Sequence, residues 1–180
     1  MSQERTRVAD FEQIVVPHLN AAYNLARWIM NNDQDAEDMV QEAYLRAYKY
    51  YAGFQGANSR SWLLKIVRNT CYTWLRQNRS GDQTVELEDE LYESENEAFD
   101  PEALSQHQAN DQMVRQAMQE LPAEFREIII LRELEEMSYK EIASIIGIPI
   151  GTVMSRLARA HQRLKQRLAT SFDEEGINEL

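Results

Sequence analysis

Very few side chains in this sequence are placed for covalent or metal chemistry. Cys71 is the only cysteine, so no internal disulfide can form, and the histidines at 18, 107 and 161 are too scattered for a metal site. No phosphate-cradling glycine loop, paired carboxylates or nucleophile-base constellation appears, which sets enzymatic chemistry aside. What remains is recognition by charge and hydrogen bonding. Lys65, Arg68, Asn69, Tyr72, Arg76 and Arg79 recur at three- and four-residue steps, giving one basic helix edge with an aromatic set into it. A second group surrounds Ser138-Tyr-Lys-Glu141, which fits a capping box, followed by Gly147 as a turn residue and a helix rich in arginine. Small Ala143, Gly147 and inward-facing Val153 have the layout of a helix-turn-helix, whose second helix enters the DNA major groove.

The elements that carry these groups follow from apolar periodicity. Phe11, Ile14, Val15, Ala22, Leu25, Ala26 and Ile29 mark one helix face, kinked or restarted at Pro17. A new helix starts at Asp35, with Ala36, Met39, Val40, Ala43, Tyr44, Ala47, Tyr48 and Tyr51 on its apolar face. Its other face carries Asp38, Gln41, Glu42, Leu45, Arg46 and Lys49. Asn58 or Ser59 caps the next helix, which runs to about Asn78 and buries Leu63, Ile66, Val67, Cys71 and Leu75. Trp62 and Trp74, by spacing alone, are core residues rather than base-stacking platforms. Helices are also expected from Ala103 to Glu120 and from Ala123 to Glu135, broken at Leu121-Pro122. The last helix, about Ile150 to Leu168, buries Val153, Leu157, Ala160, Leu164 and Leu168 and turns Met154, Ser155, Ala158, Arg159 and Gln162 outward. Arg156, Arg163 and Lys165 flank that face.

Charge divides the chain the same way. The net charge of −11 argues against nucleic acid only if it is spread evenly, and it is not. Residues 82–120 carry twelve acidic side chains against one basic, whereas residues 58–81 and 142–172 contain no acidic residue. The expected organisation is all-α: a helical domain over 8–80, a flexible acidic linker over 81–102, a helix-turn-helix domain over 103–170 and an acidic tail over 171–180. The linker could reach up to ~70 Å when extended. No apolar run is long enough for a membrane span and no signal-peptide core precedes residue 13, so the protein is expected in the cytoplasm. Taken alone, the 58–79 stripe also fits an ordinary solvated face, and the α-hairpin at 138–168 also fits simple packing.

Taken together, these motifs resemble the extracytoplasmic-function (ECF) class of bacterial sigma-70 factors, from Phe11 to about Leu168. DAEDMVQEAYLRAY (35–48) looks like the helix of the family's second region that binds core RNA polymerase. SWLLKIVRNT (61–70) looks like the segment that melts and reads the −10 element. Residues 121–164 resemble the fourth region, which reads the −35 element.

The resemblance implies transcription initiation, with core polymerase, promoter DNA and an anti-sigma factor as partners and no cofactor. It places polymerase binding on Asp38, Gln41, Glu42, Leu45 and Arg46. The −10 contacts fall to Arg60, Trp62, Lys65, Arg68, Asn69, Tyr72, Arg76 and Arg79, with Asn69 at a flipped base. The −35 contacts fall to Thr152, Met154, Ser155, Arg156, Ala158, Arg159, Gln162, Arg163 and Lys165. One departure is Met154, where the family often has Lys or Arg, so any base contact there is apolar in kind. By the same analogy the acidic linker threads the polymerase's basic cleft or keeps the free factor off DNA. The competing reading is a helix-turn-helix regulator that binds operator DNA without being a polymerase subunit; it leaves residues 8–78 without a task.

Overall fold

The computed structural model describes the backbone of residues 2–78 and 108–178 and the side chains of residues 3–78 and 111–170. The expected acidic linker, with Arg79, lies outside the described residues, as do the side chains of the 171–180 tail. All described elements are helical. Helix α1 spans Ser2–Val15, α2 Leu19–Met30, α3 Asp33–Tyr50 and α4 Ser59–Asn78. After the linker come α5 (Gln108–Gln119), α6 (Ala123–Ile129), α7 (Tyr139–Ile146) and α8 (Ile150–Asn178).

Each boundary has a local cause. Pro17 sits in the 3-10 turn Val16–His18 that separates α1 from α2, as expected of a residue that cannot donate to the helix ladder. Asn31 closes α2 in the left-handed conformation at φ 56°, and the Asn32 side chain accepts from the Asp35 amide at 2.9 Å to open α3. Asn58 caps α4, its Oδ1 accepting from the Ser61 amide at 3.0 Å. Ser138 and Glu141 form the expected capping box on α7, and Gly147 ends it at φ 81°, a conformation that a Cβ would strain. Helix α6 continues into a π-helical turn over Ile130–Leu134. The last helix runs ten residues beyond the expected end at Leu168, to Asn178.

Helices α2, α3 and α4 pack around Ala22, Leu25, Ala26, Ile29, Ala43, Ala47, Leu64, Val67 and Cys71, all 0–1% exposed. Phe11 of α1 closes one end, with Tyr44, Tyr48 and Tyr51 edge-on at 5.1–5.4 Å. Helices α5 to α8 enclose Ile128, Leu131, Ile142, Ile145, Val153, Leu157, Ala160 and Leu164. The two helical groups do not stand apart: their buried residues form one continuous cluster, because α6 and α7 rest on α2 and α4. Trp62 and Trp74 are half-buried against this core, as their spacing suggested.

Cys71 is fully buried, and burial together with the nearby Glu127 carboxylate pushes its thiol up to about 12. The thiol should therefore stay protonated and inert. Titration with a chromogenic disulfide at pH 8 should leave the native chain unmodified for hours and modify one thiol at once in denaturant; rapid native modification would contradict the packing of α4.

Candidate nucleic-acid interface

The helix that carries the basic stripe presents its functional side chains in two directions. Lys65, Asn69 and Arg76 of α4 are exposed to solvent. Trp62 is half-buried, its ring 4.6 Å from that of Phe54, so it is an anchored aromatic at the start of the stripe. Arg68 and Tyr72, one helical turn apart, and Arg60, about two turns before Arg68, face the segment from α6 to α7 instead. Arg68 forms a two-pronged ion pair with Glu127, its Nε donating at 2.7 Å and an Nη at 3.1 Å. Its guanidinium also lies over the Tyr72 ring, 4.5 Å from the centroid. Arg60 pairs with Glu135 at 2.5 Å, and the Asn58 amide donates to Glu141 at 2.8 Å. His18 of the α1–α2 turn lies 3.1 Å from the Ser59 hydroxyl, and burial and the Arg60 charge both hold its pKa below the ordinary imidazole value.

Burial dominates the electrostatics of this contact. Glu127 is completely buried, which pushes its carboxyl above the ordinary carboxylate range, partly countered by Arg68 and the Tyr72 hydroxyl. Burial works against the Arg68 charge as well, but the facing carboxylate outweighs it and raises the guanidinium pKa. Beside this pair, Arg126 is 7% exposed and donates to the main-chain carbonyls of Trp28, Ile29, Leu121 and Gln119. It thus satisfies carbonyls left over at the C-terminal end of α2 together with two from its own helical group.

On α3 the polar face stands clear. Asp38, Gln41 and Glu42 are exposed, Arg46 is half-exposed and bonded to Glu42 at 2.8 Å, and Leu45 is 64% exposed among them. In the helix-turn-helix, Val153, Leu157, Ala160 and Leu164 turn inward, while Met154 (52% exposed), Ser155, Gln162, Arg163 and Lys165 face out. Thr152, Arg156, Ala158 and Arg159 sit half-buried along the edges of that face.

Two stretches of the chain match family models: residues 14–81 match Sigma-70 region 2, and residues 111–164 match Sigma-70, region 4. The ECF RNA polymerase sigma-E factor of Escherichia coli K12 is 33% identical over 177 residues, covering 92% of this chain and 91% of that protein. The RNA polymerase sigma-H factor of Pseudomonas aeruginosa is 32% identical over 165 residues, covering 88% and 86%. This chain belongs to the ECF sigma factors of the sigma-70 family. A solved structure of the sigma factor RpoE with the anti-sigma factor NepR, from Bartonella quintana, superposes on this sigma factor with a TM-score of 0.68 at 30% identity, covering 89% of this chain and 97% of that one.

Region 2 of the sigma factor thus holds α2 to α4, and region 4 holds most of α5 together with α6, α7 and the greater part of α8. The region 2 match accounts for the residues that an operator-binding regulator leaves without a role. Among the described residues, no three or more histidine, cysteine or acidic side chains cluster as a metal site, and no single helix is long and apolar enough to cross a membrane. Of the residues that tie the two regions together, Arg126, Glu127 and Glu135 were not singled out by the sequence, and Asn58 and Glu141 were read only as helix caps. For Arg126 and Glu127 a signal existed: they are charges set inside the apolar run 125–131, where any helix face is flanked by core residues.

Proposed function

We propose that this sigma factor binds core RNA polymerase through α3 and brings it to promoters whose −10 element is read by α4 and −35 element by α8. The observation that carries the reading is the α3 face. A helix whose opposite side is complete core leaves Leu45 in water, ringed by Asp38, Gln41, Glu42 and Arg46, the mixture of one aliphatic anchor and a polar rim that a protein partner would cover. On α4, Asn69 offers both a donor and an acceptor to an extruded base, and Trp62 offers a ring face for stacking. Flipping a base costs a few kcal/mol, so a site that captures the extruded base combines selectivity with strand opening. No bond is made or broken in this scheme, so the protein needs neither catalytic residue nor cofactor, and it works in the cytoplasm where polymerase and DNA are. The Bartonella relative was crystallised with an anti-sigma factor, and an anti-sigma partner is proposed here too.

The test is a binding titration against core polymerase with Asp38→Lys/Glu42→Lys. Both positions are exposed, and the Glu42–Arg46 pair on the helix surface contributes only about 0.3–0.5 kcal/mol, so the fold should survive the reversal. Affinity for core should fall at least tenfold with an unchanged melting temperature, and promoter-library transcription with the variant should fall in step. Wild-type affinity in the folded double variant would remove α3 from the polymerase interface.

A further inference from the structure

We infer that Ile150 and Met154 form an apolar edge on α8 that selects thymine in the −35 element by covering its 5-methyl group. The inference rests on the reading of α8 as the −35 helix and adds to it a base and the side chains that choose that base.

Ile150 and Met154 are 46% and 52% exposed, the two large apolar side chains that α8 leaves in water among the described residues. They stand one turn apart, and half-buried Ala158 continues the same line a turn further on. The packing of the helix does not call for them. Val153, Leu157, Ala160 and Leu164, 0–5% exposed, already fill the side that faces the core. Single exposed apolar residues are ordinary on a protein surface, but this pair occupies the start of the second helix of the helix-turn-helix, the end that contacts base edges. Between the two, Gly151 has open space where a Cβ would stand, so nothing beside the pair keeps a base edge away.

The other edge of the outward face has the opposite chemistry. Thr152, Arg156, Arg159 and Arg163 recur there at three- and four-residue steps, with Ser155 and Gln162 between the two edges. A helix lying in the major groove has one DNA strand on each side. The cationic edge suits phosphate oxygens and guanine on one strand, and the apolar edge meets the bases of the other. Base pairs present donors and acceptors in that groove, and the thymine 5-methyl is the one apolar group among them. An aliphatic side chain held against a donor or acceptor strips its water and offers no hydrogen bond in return. Against a methyl it removes apolar surface from water on both sides of the contact. Unbranched Met154 can adapt its thioether to the methyl, while branched Ile150 closes the edge behind it.

The test uses holoenzyme, core polymerase loaded with the full chain. Binding to duplexes randomised over the −35 element identifies the preferred sequence, which should contain thymine. The selected duplex is then rebuilt with each −35 thymine of either strand replaced in turn by deoxyuridine, which removes the methyl and keeps every donor and acceptor. At one position or two adjacent ones this should weaken wild-type binding about three- to fourfold, the loss expected of one buried methyl-sized group. The penalty should shrink in Met154→Ala and vanish in Ile150→Ala/Met154→Ala. Each comparison is made within one protein, so any change in folding stability cancels. A preferred element without thymine, a wild type indifferent to uracil, or a penalty undiminished in the double variant would overturn the inference. Arg159→Ala judges the underlying reading separately: an altered −35 preference in that variant keeps α8 in place even after the thymine inference fails, whereas a −35 preference untouched by all three variants removes both.

Discussion

Replacing Arg126 with alanine should lower the stability of the folded chain by about 3 kcal/mol or more. The reason is the number of main-chain acceptors this one side chain serves. Trp28 and Ile29 end the hydrogen-bond ladder of α2, and Leu121 and Gln119 lie at the break between α5 and α6; all four carbonyls accept from Arg126. Alanine abandons the Trp28, Ile29 and Leu121 carbonyls in a site where the arginine itself is 7% exposed, while Gln119 keeps the Asn31 amide as a donor; each buried acceptor left without a donor costs about 1–3 kcal/mol, reduced where water can enter the space left behind. For a chain of this size that loss corresponds to a fall in melting temperature of roughly 6–12 °C. Arg167 provides the comparison, since its 3.2 Å pair with Glu120 is exposed on both sides and should be worth less than about 1 kcal/mol. Thermal melts of the two alanine variants decide the matter: similar midpoints would show that the Arg126 bonds are not structural.

Arg126 also shows where sequence reading stops. Helix starts and ends were legible because their causes are local: the Ser138–Glu141 capping box, Gly147 in its left-handed turn and Pro17 between α1 and α2 each involve residues within a few positions of one another. The core was legible for the same reason, since Val153, Leu157, Ala160 and Leu164 repeat at the period of a helix. The α3 face and the outward face of α8 followed by subtraction once those stripes were assigned.

The contact between the regions has no such period. Arg68 and Glu127 are 59 positions apart, Arg60 and Glu135 are 75, and Asn58 and Glu141 are 83, with the acidic segment between them. From sequence alone, Arg68 belongs to an open basic edge and Glu127 to an amphipathic helix, and neither identifies the other. The continuation of α8 from Leu168 to Asn178 was missed for a different reason: SFDEEGIN lacks the apolar stripe by which helices are recognised, yet nothing in it other than Gly176 opposes extending a helix already formed.

The effect expected to discriminate most sharply between functional assignments lies on α8. Thr152, Ser155, Arg159 and Gln162 follow one another at three- and four-residue steps along the side opposite Val153, Leu157, Ala160 and Leu164, so a groove that receives the helix meets them together. Of these, Arg159 alone has a planar fork able to bond both O6 and N7 of guanine, a contact that discriminates against the wrong base by about 1–3 kcal/mol, or roughly 5- to 150-fold. Lys165 is exposed one and a half turns further on and has a point charge suited to phosphate. In holoenzyme, Arg159→Ala should therefore flatten the preference at one or two positions of the −35 element and leave the others intact. Lys165→Ala should weaken all promoters alike and reduce the slope of log affinity against log salt by about one. Binding to a randomised −35 library at several salt concentrations separates the two behaviours. An unchanged −35 preference in Arg159→Ala would move base reading to another part of α8, while a sequence-dependent loss in Lys165→Ala would show that this lysine reaches past the backbone to a base.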